Sequence, residues 1–253
     1  MTDPDSALVS IVMPTYNCGG FIAESIESAI AQTYPAWELI IIDDQSTDDT
    51  EAVVRTFADV DPRVKYHRLE QNSGAAVART RGMELASGRY IAFLDSDDLW
   101  TPDKLERQLA FLRDSGGTIA CTAYDQVDEE GHPLGKVLQP KRRATYNDVL
   151  LTCPIGNSPV IFDAGRLGKF VVPNIRKRND DALWLQMLKK EKYILGMPEV
   201  LMHYRVRANS ISANKLSLVK YHWTLYRDIE KLSIARSAFH IAIWGVLKVL
   251  KIK

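Results

Sequence analysis

The sequence predicts an α/β fold in which a mostly parallel sheet is flanked by helices. In the first half of the 253-residue chain, short continuous apolar runs alternate with amphipathic segments of helical length. Continuous apolar runs are typical of parallel strands that are covered on both faces, and the alternation indicates right-handed strand–helix–strand units. Ligands bind at the carboxyl ends of such strands. The polar residues that follow each run are therefore the first candidates for a functional site.

The spacing of apolar residues places the elements in order. Continuous runs predict three core strands, over residues 9–13, 39–42 and 90–94. Apolar residues at helical spacing predict three helices, over residues 21–30, 50–58 and 75–86. Residues 64–68 alternate between apolar and polar, which predicts a more exposed strand.

The second half of the chain is less regular. Residues 118–124 predict a strand, and the polar residues 128–133 predict a turn. The basic segment 136–146 has no clear period and is interpreted as a solvated loop. An amphipathic helix is predicted over residues 216–232.

The composition fits a globular protein and argues against a nucleic-acid enzyme. Hydrophobic residues make up 46% of the chain, which is ample for a core. The 32 basic and 32 acidic side chains cancel, so no overall field attracts nucleic acid. Three scattered cysteines without metal-ligand spacing are expected of a reduced cytoplasmic protein. The acidic, polar N-terminus lacks the pattern of a secretory signal, so we expect the catalytic part to stay in the cytoplasm.

Three carboxylates, Asp95, Asp97 and Asp98, directly follow the third core strand. Acids this close repel one another unless a cation lies between them, and Mg²⁺ or Mn²⁺ binds carboxylate oxygens together with substrate phosphates. The cluster therefore predicts a metal–diphosphate site. Acids at this position, shortly before Thr101 and Pro102, can also cap a helix, and that alternative stays open.

Three motifs follow the core strands in a specific order. They read SIVMPTYN at residues 10–17, IDDQSTD at residues 42–48 and FLDSDD at residues 93–98. Through these motifs the chain resembles family-two glycosyltransferases of the GT-A fold, of the bacterial surface-polysaccharide type. The resemblance implies a GT-A, Rossmann-like catalytic domain over residues 1–212. A C-terminal helical extension then covers residues 213–253.

The resemblance also implies a donor-binding loop. Pro14, Thr15 and Tyr16 match the family loop that packs against the nucleoside. Asp44 matches the acid that accepts a hydrogen bond from the base, for which a uracil N–H is a suitable donor. The alternative is that Asp43 and Asp44 only begin a turn.

The diphosphate and the metal are assigned to later segments by the same resemblance. Arg79 or Arg81 matches the segment that faces the diphosphate, and a guanidinium pairs bidentately with phosphate oxygens. Asp95 and Asp97 match donor-contacting positions, and Asp97 with Asp98 matches the ligands of Mn²⁺ or Mg²⁺.

A separate acid is expected to act as the general base. Asp181 matches the family's base at the start of a helix, and Asp180 is left as a cap or an acceptor contact. Acids in a first helical turn also favour the helix dipole, which is the structural alternative. Asn157 and Trp184 complete the expected acceptor side. The Gln-x-x-Arg-Trp pattern is absent after this helix start, which argues against a processive synthase.

The implied reaction is the inverting, metal-dependent and non-processive transfer of one sugar. The expected donor is a nucleotide-sugar, preferably a UDP-sugar, and the acceptor is a hydroxyl of a lipid-linked saccharide in surface polysaccharide synthesis, such as O-antigen or lipopolysaccharide. A nucleotidyltransferase that makes a nucleotide-sugar is one alternative, although the first loop is not glycine-rich. A noncatalytic membrane scaffold is the other alternative.

The last residues carry a basic amphipathic pattern. Residues 236–253 contain four basic residues and no acid, and polar side chains recur at three- and four-residue steps. Such a helix is expected to lie on the inner face of the cytoplasmic membrane. Its apolar part, roughly 22 Å long, is too short for the ~30 Å hydrocarbon core. The alternative is packing on the domain or on a second subunit, as in a homodimer.

Overall fold

A mixed sheet with helices on both faces forms the centre of the protein. The computed structural model describes residues 7–153, 155–207 and 216–249. The ten strands are β1 (Val9–Thr15), β2 (Trp37–Asp43), β3 (Val64–Arg68), β4 (Tyr90–Phe93), β5 (Leu99–Trp100), β6 (Ile119–Val127), β7 (Pro133–Leu138), β8 (Arg143–Ala144), β9 (Val160–Asp163) and β10 (Ile194–Arg205).

Helices connect most of the strands. The α-helices are α1 (Gly19–Ile30), α2 (Thr50–Ala58), α3 (Ala75–Leu85), α4 (Lys104–Ser115), α5 (Tyr146–Thr152), α6 (Ala164–Leu167), α7 (Asn179–Leu188), α8 (Leu216–Thr224) and α9 (Ile234–Val249). A π-helical segment, Leu225–Ile229, continues α8. Among the described residues, no helix combines the length and apolar character needed to span a bilayer.

The strand order is β3-β2-β1-β4-β9-β6-β10-β5, with β7 beside β6 and β8 beside β10. The pairs among β3, β2, β1 and β4 are parallel, as predicted. β9 is antiparallel to both of its neighbours, β4 and β6, so the complete sheet is mixed. The predicted α/β fold, with helices flanking the sheet, is confirmed.

Two core layers lie on opposite faces of the sheet. Along β1, Val12 faces the layer formed with α3, α5 and α7, whereas Ile11 and Met13 face the layer with α1, α2 and α4. Side chains alternate between the faces of a strand, so a strand buried on both faces is apolar throughout. The continuous apolar runs of the sequence follow from this arrangement.

One glycine allows α3 to lie close against β1. A Cβ atom at Gly82 would be 2.4 Å from Cγ1 of Val12, closer than packed atoms can approach. The close contact places the N-terminal turns of α3 beside the carboxyl ends of β1 and β2.

The segment predicted as a loop over residues 136–146 is partly strand. The end of β7 and the whole of β8 fall within it. Because β7 is an exposed hairpin strand, it has no buried face and hence no apolar alternation that could reveal it.

The described C-terminal helices pack on the rest of the molecule. Leu225, Tyr226 and Leu232 belong to the core layer of α5 and α7. The Tyr226 hydroxyl donates to the Leu150 carbonyl at 2.7 Å. The boundary predicted at residue 212 lies outside the described residues, and the division into two domains stays a prediction.

A buried carboxylate joins three neighbouring strands at the amino end of the sheet. Glu38 of β2 accepts hydrogen bonds from Ser10 Oγ at 2.5 Å, from Lys65 Nζ at 2.6 Å and from both the amide and hydroxyl of Ser87 at 2.8 and 2.7 Å. Burial raises the pKa of Glu38, but the hydrogen bonds from Lys65, Ser10 and Ser87 outweigh it and lower the pKa to about 2.

This carboxylate makes a testable contribution to acid stability. Because the folded pKa lies below the ordinary value of 4.5, the contribution is complete above that value and is lost as the pH falls toward 2. Between pH 6 and pH 3, the wild type should lose about 2 kcal/mol of unfolding free energy through this group. The unfolding free energy of Glu38→Gln, measured by urea unfolding, should not show this decrease. Glu70→Gln, at an exposed position, is the control, and a Glu38→Gln curve parallel to the wild type would contradict the assignment.

Candidate functional site

A cavity of about 960 Å³ lies at the carboxyl ends of the parallel strands. Most of the residues predicted for the site line it: Pro14, Thr15, Tyr16, Asp44, Arg79, Asp95, Asp97, Asp98, Asn157 and Asp180. Three predicted residues, Arg81, Asp181 and Trp184, do not line it. The structure thus brings together segments that lie far apart in the sequence.

The loop after β2 holds the start of α3 in place. Both carboxylate oxygens of Asp44 accept backbone N–H groups, from Ser73 at 2.6 Å and from Gly74 at 2.7 Å. Each carboxylate oxygen has a further lone pair, so Asp44 can still accept a hydrogen bond from a ligand in the cavity. Tyr16, after β1, lines the same part of the cavity and is half exposed. Its ring is available to stack on a flat ligand.

The buried guanidinium of Arg79 connects two sides of the cavity. Its Nη2 atom donates to Asp95 Oδ1 at 2.8 Å, and its Nη1 atom donates to Asn179 Oδ1. Arg81 is half exposed and pairs with Glu84 at 3.1 Å outside the cavity. Two residues along a helix correspond to a rotation of about 200°, so Arg79 and Arg81 face nearly opposite directions. The structure therefore corrects the pair of candidates to Arg79 alone.

The acids after β4 differ in their surroundings. The Asp97 side chain is 28% exposed, and its Oδ2 atom lies 3.2 Å from Nη1 of Arg207. Asp98 is 2% exposed, and its two oxygens accept from the Arg205 amide and from Ser158 Oγ. Burial, together with the charge of Asp95, raises the pKa of Asp97. Burial and the neighbouring acids raise the pKa of Asp98 well above its ordinary value.

These acids fit a hard divalent cation. The donor atoms are oxygens, and burial together with the neighbouring acids raises the pKa of Asp97 and of Asp98, so a cation bound there would stabilise their charged forms. Asp97 has the more accessible carboxylate, whereas both oxygens of Asp98 already accept hydrogen bonds. The geometry favours Asp97 as the direct ligand and Asp98 as its support. Mg²⁺ and Mn²⁺ commonly take one or two carboxylates and complete their coordination with phosphate oxygens and water.

A second acidic group lies on the turn between β6 and β7. Ligand atoms of Asp128, Glu130 and His132 are within 4.8 Å of one another, the one such set of three among the described residues. This group is largely exposed and does not line the cavity. Exposed acidic turns are common, and we assign it no role.

The start of α7 presents one acid to the cavity and buries the next. Asp180 lines the cavity, whereas Asp181 is 3% exposed and its Oδ2 atom lies 2.8 Å from Nη1 of Arg178. Burial raises the pKa of Asp181 to about 6, although Arg178 opposes the shift. Consecutive helical residues point about 100° apart, and of the two acids Asp180 is the one that lines the cavity. The placement disagrees with Asp181 as the acid that meets the acceptor and favours Asp180.

Trp184 is a core residue. Its side chain is fully buried, and its ring lies edge-on to Phe93 with centroids 5.8 Å apart. It lies one turn further along α7 than Asp180 and does not line the cavity. The prediction that Trp184 contacts an acceptor is therefore corrected.

Two residues contribute to the site in ways that the sequence did not predict, although Ser158 belongs to the segment 156–158 that is expected near the transferred sugar. Ser158 accepts from the Asp95 amide at 3.0 Å and donates to Asp98, so it holds both ends of the acidic motif. Trp244 of α9, which the sequence assigned to a membrane-facing helix, is buried and lines the cavity. Neither residue has a local signal, because each reaches the site through tertiary packing.

Comparison with known proteins identifies the family. The model of Glycosyl transferase family 2 matches residues 10–195. The putative teichuronic acid biosynthesis glycosyltransferase TuaG of Bacillus subtilis is 42% identical over 232 residues, which cover 92% of each chain. The UDP-Glc:alpha-D-GlcNAc-diphosphoundecaprenol beta-1,3-glucosyltransferase WfgD of Escherichia coli is 37% identical, over 92% of this chain and 90% of that protein.

Solved structures share the fold at low sequence identity. S. aureus TarS 1-349 in complex with UDP-GlcNAc gives a TM-score of 0.71 at 19% identity, over 93% of this chain and 71% of that chain. The mannosyltransferase PcManGT from Pyrobaculum calidifontis, in complex with GDP-Man and Mn²⁺, gives 0.67 at 19% identity, over 96% of this chain and 75% of that chain. These neighbours confirm the GT-A fold. From its motifs, its fold and its relatives, the chain belongs to glycosyl transferase family 2 and is a glycosyltransferase.

Proposed function

We propose that the protein transfers one sugar from a UDP-sugar to a hydroxyl of a lipid-linked saccharide, with inversion and with Mn²⁺ or Mg²⁺. The observation that carries the proposal is the cavity itself, which is lined by the loop of Tyr16, by Asp44, by the acid Asp97 and by Asp180. A nucleoside, a diphosphate with its cation and an acceptor hydroxyl each have a matching group there. TarS, solved with UDP-GlcNAc bound, supports the donor class, and WfgD, named for a diphosphoundecaprenol acceptor, supports the acceptor class.

The donor side would stabilise the negative charge that develops on the diphosphate as it leaves the sugar. Asp97 would hold the cation together with diphosphate oxygens, and the bound cation would neutralise the developing charge. Arg79 keeps Asp95 in place and lines the cavity, so its guanidinium adds positive charge on this side. PcManGT, with GDP-Man and Mn²⁺ bound, supports a cation in this fold.

The acceptor side supplies the base. Asp180 would take the proton from the attacking hydroxyl, and a positioned base typically contributes about 10²–10⁴-fold to the rate. Direct attack from the side opposite the leaving diphosphate inverts the anomeric centre. Asp181 would serve instead as the buried partner of Arg178, which precedes the helix.

The proposal extends to surface polysaccharide synthesis at the membrane. TuaG and WfgD are named for teichuronic acid biosynthesis and for a diphosphoundecaprenol acceptor. In α9 the polar residues Ser237 and His240 are buried, while Phe239 and Val246, seven residues apart on one face of the helix, are exposed. An ordinary surface helix has the opposite arrangement. We propose that this apolar stripe docks on the inner face of the cytoplasmic membrane, as a peripheral contact.

Nucleotide binding tests the donor site. UDP with Mn²⁺ should stabilise the wild type by about 2.7 kcal/mol at about 100 times its dissociation constant, and chelator should remove the effect. GDP, CDP and TDP should stabilise less. Asp97→Asn should abolish the metal-dependent part, as measured by thermal unfolding. Stabilisation by no nucleotide would contradict the proposal and favour the capping interpretation of the acids.

Turnover separates the two acids of α7. Asp180→Asn should lower kcat by about 10²–10⁴-fold and leave UDP binding intact. Asp181→Asn leaves Arg178 without its buried partner and should cost about 3–5 kcal/mol of stability. The kcat of its folded fraction, counted by UDP binding, should stay within about tenfold of wild type. The reverse result would restore Asp181 as the base.

The product released identifies the class of reaction. Release of UDP identifies transfer, and release of pyrophosphate from a nucleoside triphosphate would identify a nucleotidyltransferase. If no turnover is detected with any acceptor tried, the noncatalytic membrane scaffold becomes the favoured alternative.

Liposome flotation tests the membrane contact. Phe239→Asp should reduce flotation with anionic vesicles strongly, because it places a charge in the apolar stripe. Val60→Asp, at an exposed apolar position at the end of α2, is the matched control. Equal flotation of both variants would contradict docking through α9. If Phe239→Asp instead dissociates a dimer in light scattering, the stripe is a contact between two copies of the chain.

A further inference from the structure

Charge is unevenly distributed in the cavity. The acids Asp95, Asp97 and Asp98 line the cavity and suit a cation. The basic residues Arg176 and Lys177 line the cavity just before α7. The two groups therefore suit different ligands, because the basic pair can bind an anion without a metal ion.

One basic residue of this run is already neutralised. Arg178 pairs with Asp181 at 2.8 Å, and its Nη2 atom lies 2.8 Å from His222 Nε2. Its role is to join α7 to α8. Arg176, in contrast, is exposed, and among the described residues it has no hydrogen bond or acidic partner. Its guanidinium is free to pair with a ligand.

The C-terminal helices form the adjoining wall. The Lys177 ammonium lies over the ring of Tyr221 of α8, 5.9 Å from its centroid. Leu218 of α8 and Trp244 of α9 line the cavity with the basic residues. The outer face of α9 is the apolar stripe. An anion at Arg176 and Lys177 would thus lie between the proposed base and the helix proposed to face the membrane.

The short segment between Arg176 and Asp180 limits the distance between the bound anion and the reacting hydroxyl. Arg176 lies four positions before Asp180 in the sequence, so their Cα atoms are at most about 14 Å apart. This distance suits an anionic group attached to the same sugar that presents the hydroxyl to Asp180. In a lipid-linked saccharide, the phosphate groups that join the sugar to the lipid are such a group.

We propose that Arg176 and Lys177 bind the diphosphate that links the acceptor sugar to its lipid carrier. This anion site is distinct from the donor diphosphate site and needs no metal ion. The inference rests on the proposed function, because it identifies the acceptor as a saccharide carried on a lipid diphosphate. A guanidinium beside an ammonium is suited to it, since the first pairs bidentately with phosphate oxygens and the second acts as a point charge.

Binding in the presence of chelator isolates this site from the donor site. Farnesyl diphosphate serves as the probe and farnesol as the phosphate-free control, each titrated into the full chain with chelator and without vesicles. The wild type should bind the diphosphate at least tenfold more tightly than the alcohol. Arg176→Gln combined with Lys177→Gln should remove that preference. Arg55→Gln, an exposed arginine of α2, should behave as the wild type.

Three outcomes would overturn the inference. One is a preference for the diphosphate that survives in the double variant, and another is no preference in the wild type. The third is an unchanged diphosphate affinity in the double variant with lost flotation on anionic vesicles, which would assign the two cations to lipid headgroups. Stabilisation by UDP with Mn²⁺ is measured on the same proteins. If UDP with Mn²⁺ does not stabilise the wild type, the proposed function is wrong. If UDP with Mn²⁺ stabilises the wild type but farnesyl diphosphate does not bind, only this inference is wrong.

Discussion

The buried guanidinium of Arg79 is the interaction on which the arrangement of the site depends. It joins α3 to Asp95 at the end of β4 and to Asn179 at the start of α7. The proposed donor and acceptor sides are thereby held together by one planar group with several fixed donors. α3 can deliver this group because Gly82 lets the helix lie directly against β1. Truncation would leave the buried Oδ1 atom of Asn179 without its donor and would remove the ion pair with Asp95, so this contact is costly to lose.

The acidic end shows how carboxylates are kept close together without a cation. Asp98 is held by Ser158 and the Arg205 amide, and Asp97 lies beside the Arg207 guanidinium. Repulsion remains, as the raised pKa values of Asp97 and Asp98 show. Asp97, which is more accessible than Asp98, retains the charge that a metal–diphosphate complex would neutralise. The hydrogen bonds and the repulsion between the acids are compatible. The hydrogen bonds orient the carboxylates, and the repulsion favours binding of a cation.

The C-terminal helices have two different faces and so two different roles. Their inner side carries polar and aromatic groups, and the rings of Trp244 and His222 lie beside the cavity with centroids 4.5 Å apart and a tilt of 50°. On the outer side of α9, the apolar residues Phe239 and Val246 are exposed. A single helix therefore contributes both to the cavity wall and to the surface proposed to meet the membrane. This arrangement would bring a lipid-linked acceptor to the acid of α7 along a short path.

The sequence by itself determined the parallel strands β1, β2 and β4, the helices between them, and the polar loops that carry Asp44 and Asp97. These strands, helices and loops can be predicted from the sequence because each depends on a local pattern: an apolar run, helical spacing or the order of the motifs. Only the tertiary structure decided which side chain of a close pair faces the cavity, as with Arg79 over Arg81 and Asp180 over Asp181. Eight of the ten residues of α7 are buried, so the helix has no apolar stripe that reveals its orientation. A rotation of about 100° per residue then separates a ligand-facing acid from a buried one, and only packing sets that rotation.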